Sequence, residues 1–284
     1  MDFYARRRVF GDELLTYLGA QHDRYLLTDM KGNIGDHLIW AGTRDLLSSG
    51  RVSYASLPLH EVGEVVHPES TLLIPGSGAF DVRWHEWLPD TVYSAARGFR
   101  KVIILPSSFD PSVPVVARCL AQPNVHAFAR EEQSYKAIAA FGRATLSLDC
   151  AIYFHGFEDH TATAAHSAED GTPLLALRQD KGSLLPGHGV APNPLINRDI
   201  STCTASLAEW LGAVSQAATV ITDRLHVAVA AVLLGRRLVY LDPYDAKIST
   251  YFRHTFGHTF DHLVTQCSLS WLAARGFVVR TESE

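Results

Sequence analysis

Residues 220–235 read VITDRLHVAVAAVLLG, with Asp223, Arg224 and His226 set between a β-type run and a stretch of nearly pure hydrocarbon. A strand ending at Thr222 and a helix starting near Leu225 would put all three at the strand's C-terminal end and in the helix's first turn. Unpaired backbone N–H groups and the positive end of the helix dipole favour an anion there. Arg224 adds a forked, permanently charged donor suited to phosphate or carboxylate. His226 can exchange a proton near neutral pH, and Thr222 or Asp223 is placed to cap the helix. The chemistry on offer is anion binding coupled to proton transfer. A plainer reading stays open beside it: Asp223 as a cap, Arg224 in a structural ion pair and His226 as a satisfied core histidine.

Comparable devices recur upstream. KGNIGDHLIW follows a strand-like run and opens a helix, so Gly32, Asn33, Gly35 and Asp36 can bring backbone N–H groups to a ligand. It is not the G-x-G-x-x-G pattern of dinucleotide sites. LLIPGSGAF places Gly76, Ser77 and Gly78 after another strand-like run; VIILPSSF ends in Ser107 and Ser108, and HAFAREEQSY in Arg130. Any one of these reads as a turn, but four at corresponding places suggest a site. Arg178, after LLALR, joins the same set, either as a substrate contact or as a structural residue. His254, His258 and His262 share i, i+4, i+8 spacing, but Gly257 interrupts the helix. Phe256 and Phe260 follow the same spacing and suit a buried stripe, so no metal site is assigned.

The elements that must position these residues alternate between apolar β-type and helix-type runs. Strands are expected at 25–28, 71–74, 102–105, 125–128 and 146–148, with helices at 36–47, 111–121 and 131–141. After the polar tract FEDHTATAAHSAEDGTP, strands follow at 174–177, 219–221 and 238–241, with helices at 206–217 and 225–234. Continuous rather than alternating hydrophobicity suits parallel strands covered on both faces. The expected organisation is a first domain at 1–157, a linker at 158–172 and a second domain at 173–284, both Rossmann-like α/β sandwiches. A cleft between two such domains, open to the strand C-termini, would hold Arg130 from the first opposite Arg224 and His226 from the second.

Composition narrows the function classes. With 284 residues, 47% apolar and 19% charged, the chain has material for two cores and no disorder signature. A net charge of -5 argues against a broad nucleic-acid surface. Four scattered cysteines without a C-x-x-C pair, and no secretory h-region, suit a reduced, cytoplasmic protein. No apolar run approaches the roughly 20 residues of a membrane span. ARRRVF near the N-terminus is either a solvated face or a point of peripheral contact with an anionic membrane.

Taken in order, these segments resemble the polysaccharide pyruvyl transferases. GNIGDHLI resembles the family's N-x-G-D segment, IPGSGAF its glycine-rich segment, and ILPSSF its L-P-Q-S run with Ser107 in place of Gln. AREEQSY is similar to its R-E-x-x-S-Y, and LDCAIYF to a degraded D-x-A-F. ITDRLHVAVAAVLLGRRLVYLDPYDAKISTYF follows T-D-R-L-H, then L-L-G, then D-x-x-x-x-K-I-S. The resemblance implies two Rossmann-like domains arranged as in the GT-B glycosyltransferases. It implies phosphoenolpyruvate as donor and co-substrate, no further cofactor, and a sugar diol as acceptor, converted to a pyruvate ketal with release of phosphate. A lipid-linked oligosaccharide, a cell-wall precursor and a smaller glycoside all remain open as acceptor, and so does an enolpyruvyl ether in place of the ketal as product. The resemblance assigns Arg130, Arg224 and His226 to donor binding and catalysis, and Lys247 matches the K-I-S lysine. A nucleotide-sugar glycosyltransferase or epimerase, and an inactive binding protein on the same fold, stand as alternatives.

Overall fold

A computed structural model describes residues 1–20, 24–84, 87–164, 172–183, 185–242 and 246–281. The chain divides into two compact units, Met1–Lys31 with Ile39–Phe154, and Gly32–Leu38 with His155–Glu284. The second unit thus takes up the chain from His155 onward and one earlier piece. The short GNIGDHL segment groups with the second unit although it sits early in the sequence.

In the first unit the elements run α1 (Phe3–Gly19), β1 (Arg24–Thr28), α2 (Ile34–Ser49, in this unit from Ile39 onward), β2 (Tyr54–Leu57), β3 (His67–Ile74), α3 (Leu88–Ala95), β4 (Phe99–Ser107), α4 (Pro114–Leu120), β5 (Val125–Ala129), α5 (Glu132–Ile138) and β6 (Ala144–Leu146). They build a six-stranded sheet in the order β2-β1-β3-β4-β5-β6, parallel throughout. Leu72, Leu73 and Ile74 of β3 and Val102, Ile103, Ile104 and Leu105 of β4 are all buried, as befits central strands covered on both faces. The order starts 2-1-3-4-5, the flavodoxin-like arrangement, not the 3-2-1-4-5-6 of a dinucleotide-binding Rossmann sheet. Its switch point lies between β1 and β3, at the end of β3 where Gly76 and Ser77 follow.

Glycine 42 shows how closely α2 is packed within this unit. A Cβ there would lie 1.9 Å from the backbone oxygen of Cys150. In an open helix Gly→Ala gains about 1 kcal/mol. Here Gly42→Ala should reverse that sign and cost about 1–3 kcal/mol or more, because a backbone carbonyl must move. A urea midpoint equal to or above the parent's would disprove the packing argument.

The second unit contains α6 (Phe157–Ala164), β7 (Leu174–Ala176), β8 (Val190–Pro192), α7 (Ile200–Cys203), α8 (Leu207–Gln216), β9 (Thr219–Thr222), α9 (Leu225–Leu233), β10 (Arg237–Leu241), α10 (Lys247–Thr255), β11 (Val264–Cys267), α11 (Leu269–Ala274) and β12 (Val278–Arg280). Four parallel strands form the sheet β11-β10-β9-β7, and β12 pairs antiparallel with β8. The polar tract expected as a linker is helical over Phe157–Ala164, and α6 packs against α8. Residues 165–171 lie outside the described residues. Helix α9 is buried along Leu225–Val232, packed against β9, β10, α8 and α10. That burial fixes the position of its first turn.

Among the described residues, no helix is long and apolar enough to cross a membrane. Helix α10 stops at Thr255, and Gly257 takes a left-handed φ of 57°, so His254, His258 and His262 do not share a helix. His258 instead pairs with Asp261 at 2.8 Å. The aromatic stripe expected there is present, with Phe252, Phe256 and Phe260 in successive edge contacts.

Candidate active site

At the end of β9, Thr222 Oγ1 donates to the Ala176 carbonyl at 2.8 Å and accepts the Arg224 N–H at 3.0 Å. The strand end is thereby tied to β7 and the turn into α9 is held. Neither Thr222 nor Asp223 caps α9, contrary to the sequence expectation: Arg224 occupies the cap position without a side-chain cap bond. The Asp223 carboxylate accepts the backbone N–H of Arg178 at 2.8 Å instead. Burial, reinforced by the Asp199 charge, holds the Asp223 carboxyl above the usual carboxylate range, against the Arg178 N–H and the charges of Arg178 and Arg224.

Arg224 is buried to 3% exposure, and its guanidinium is already engaged. Its Nε and NH2 both bond the carboxylate of Asp199, and NH2 also reaches Asp180 at 2.7 Å. Burial would lower the guanidinium's pKa, but the bonds and charges of Asp199 and Asp180 raise it above the ordinary value. Asp199 is itself buried and accepts the Gln179 N–H at 3.0 Å. Asp180 is the more open partner, with its side chain 26% exposed, and lies 3.5 Å from Arg178. Burial raises its pKa, but Arg178, Arg224 and the Gly182 N–H outweigh that and hold it below the usual range. The bidentate face of the Arg224 guanidinium is thus taken up by Asp199. Asp180 and Asp199, which have no sequence motif of their own, complete the cluster.

His226 sits in the first turn of α9 with its Nδ1 3.8 Å from Asp36 Oδ1. Asp36 is fixed in turn, since its Oδ2 accepts from Asn33 Nδ2 at 2.7 Å and from the Asn33 N–H at 3.2 Å. Asn33 Oδ1 accepts the Gly35 N–H at 2.9 Å. This is a capping box at the start of α2, with Asn and Asp in the usual Ser/Thr and Glu places. A Cβ on Gly35 would lie 3.3 Å from Ser201 Oγ and 3.5 Å from His226 Cβ, and one on Gly32 only 2.5 Å from Asp36 Oδ2. Gly32 therefore leaves room for the Asp36 carboxylate and Gly35 for the Asn33 side chain and Ser201, while a Gly35 Cβ would meet His226 only in ordinary contact. Two segments nearly two hundred positions apart in sequence become one Asp–His site.

In the first unit, Ser77, Ser107, Ser108 and Arg130 converge at the ends of β3, β4 and β5. The Ser77 N–H donates to Ser107 Oγ at 3.0 Å, and Ser107 Oγ donates to the Leu105 carbonyl at 2.8 Å. Arg130 Nε donates to Ser108 Oγ at 2.9 Å and NH1 to Asp149 Oδ2 at 2.9 Å. Glu131 accepts from Ser108 at 3.2 Å and from Ser134. The R-E-x-x-S pattern and the aspartate of LDC thus form one buried network, and Arg130 is 2% exposed within it. Gly76 packs closely on the β4 end, as a Cβ there would lie 2.5 Å from the Pro106 carbonyl oxygen, whereas Gly78 is half-buried in the following loop. Asp149 and Glu131, which the spacing alone did not single out, hold Arg130 and Ser108.

Lys247 opens α10. The N–H groups of Ile248 and Ser249 donate to the Asp242 carboxylate at 3.1 and 2.8 Å. Part of the D-x-x-x-x-K-I-S spacing is thereby a helix N-terminus held by the aspartate that follows β10. Among the described residues, no group of three or more His, Cys, Asp or Glu is arranged to hold a metal ion.

The fold and site define an α/β protein with two parallel sheets whose strand ends carry a buried Arg–Asp cluster beside an Asp–His pair. The chain belongs to the polysaccharide pyruvyl transferase family, whose model matches residues 33–244. A search of curated protein sequences finds no match. Among solved structures, a functionally uncharacterised protein from Klebsiella pneumoniae subsp. pneumoniae NTUH-K2044 is similar, with 18% identity over 92% of this chain and 98% of that one and a TM-score of 0.69. The C-terminal domain of glucosamine-fructose-6-phosphate aminotransferase from Francisella tularensis matches over 94% of this chain and 87% of that one, at 9% identity and a TM-score of 0.28. The first shows a shared fold.

Proposed function

We propose that the protein transfers pyruvate from phosphoenolpyruvate to a sugar diol, forming a pyruvate ketal and releasing phosphate. The observation that carries this reading is the Asp36–His226 pair at the first turn of α9, beside Arg224. Protonation of the donor's methylene carbon makes C2 electrophilic. One sugar hydroxyl forms a bond to C2 and gives up its proton, the C2–O bond to phosphate breaks, and the second hydroxyl closes the ketal and gives up its own. His226 is the proton donor in this scheme, with Asp36 Oδ1 3.8 Å from its Nδ1 to orient the ring. Asp199 holds the Arg224 guanidinium rigidly, and an anionic group of the donor replaces Asp180 on its open side and beside Arg178. Asn33, Gly35, Asp223 and Leu225 shape this pocket, and Lys247 adds a cation. Arg130, locked on Asp149, acts by holding the Ser77, Ser107 and Ser108 turns.

Thermal denaturation with phosphoenolpyruvate and, separately, with nucleotide sugars tests the reading. Only a ligand bound by the native state raises the melting temperature. Phosphoenolpyruvate should do so; a rise with nucleotide sugars alone would make the protein a glycosyltransferase, and no rise with either would make it a binding protein. Arg224→Lys should lower kcat/KM at least tenfold, because lysine keeps the charge but cannot span both Asp199 oxygens. Parent-level turnover in that variant would remove Arg224 from the mechanism.

A further inference from the structure

Helix α1 carries a feature that the transfer scheme does not use. A cavity of about 260 Å³ lies against it, lined by Tyr4, Arg7, Arg8, Gly11 and Asp12 and backed by Tyr153. Gly11 makes the space: a Cβ there would stand 3.0 Å from Tyr153 Cε1. The Tyr153 hydroxyl donates to the Arg7 carbonyl at 3.0 Å, which fixes the ring as the back wall. The Arg7 guanidinium lies 5.7 Å from the centre of that ring. Among the described residues, neither Arg7 nor Arg8 pairs with a carboxylate. That contrasts with Arg130 and Arg224, whose guanidiniums are bound to aspartates.

We propose that this α1 cavity binds an acidic hexose unit, a sugar ring bearing a carboxylate or phosphate. Two guanidiniums without carboxylate partners suit an anionic group with two or more acceptor oxygens. Asp12 lines the same cavity and would repel a bare anion, yet it can accept hydrogen bonds from ring hydroxyls. Tyr4, 64% exposed at the rim, offers an aromatic face and a hydroxyl to the ring. The volume is below the about 300–1,000 Å³ of sites for drug-sized ligands, which suits one sugar ring better than a nucleotide. The site goes beyond the pyruvyl-transfer reading and does not depend on it.

Calorimetric titration of the full chain with glucuronate, glucose 6-phosphate, glucose and inorganic phosphate tests the proposal. At least one of the two acidic sugars should bind at least tenfold more tightly than glucose, and more tightly than phosphate alone. Arg8→Gln, which keeps helix propensity, and Tyr4→Ala should each weaken binding by fivefold or more, with unchanged melting temperature in the absence of ligand. Binding of only one acidic sugar would identify which acid the site takes. Phosphate binding as tight as glucose 6-phosphate, insensitive to Tyr4→Ala, would reduce the site to an anion patch and overturn the proposal. So would absence of sugar binding, whether or not phosphatidylserine vesicles sediment the parent and not Arg8→Gln; that last result would make α1 a membrane-contact surface.

Discussion

Asp199→Ala should destabilise the protein by about 3–5 kcal/mol, the range expected when one partner of a buried ion pair is removed. The Arg224 side chain is only 3% exposed and that of Asp199 1%, so the variant would leave a buried charge without its main partner. Asp180 would remain as the sole carboxylate on NH2, while Nε loses its acceptor. An exposed pair sets the scale: Lys136 and Glu132 lie 3.3 Å apart with side chains 75% and 56% exposed. Glu132→Ala should change stability by about 0.5 kcal/mol or less. Asp199→Ala combined with Arg224→Met should recover part of the loss, because the uncompensated buried charge goes with the arginine. Urea unfolding of the parent and these three variants measures each term. A loss below about 1 kcal/mol for Asp199→Ala would mean that Arg224 finds another partner and is not fixed by Asp199.

That buried cluster also marks where sequence reasoning stops. The TDRLH segment was legible because a β-type run, three ionisable residues and a hydrocarbon helix are adjacent in sequence. The strands at the ends of which the site residues stand were legible for the same local reason, namely continuous apolar runs. The Arg224 partners were not, since Asp199 and Asp180 lie 25 and 44 positions away and carry no periodic signal. Asp149, 19 positions from Arg130, lay in a segment whose match to the family pattern was weak. Edge strand β2, with only Leu57 buried, and the short β8, β11 and β12 were missed because none is a long apolar run. Helix α1 was missed for a related reason: ARRRVF reads as surface, and only Phe3, Gly11, Leu14 and Leu18 of the helix are buried. The four-residue α7, the Pro-led α3 and α10 and α11 were missed too. The polar tract at 157–173 misled in the other direction. Small and acidic residues suggested a linker, yet its first half is a helix whose stability comes from packing on α8 rather than from its own composition.

His226→Ala should lower kcat and kcat/KM together by about 10²–10⁴-fold while leaving much of the affinity for phosphoenolpyruvate. On the proposed reading a proton donor acts in the transition state, whereas Arg224, Arg178 and the N–H groups of α9's first turn would hold phosphoenolpyruvate in the ground state. Asp36→Asn separates the pair's two contributions. Asparagine can still accept an Asn33 bond and so preserve the start of α2, but it removes the charge 3.8 Å from His226 Nδ1. It should lower kcat by less than His226→Ala does, with little change in melting temperature, and combining the two should cost little more than His226→Ala alone, as expected for residues acting as a unit. Measured single-turnover rates and donor affinities decide the matter. If His226→Ala loses affinity but keeps the parent's chemical step, the imidazole is a phosphate ligand, and the proton must come from another group. If Asp36→Asn and His226→Ala multiply instead, Asp36 acts through the GNIGD backbone and not through the histidine.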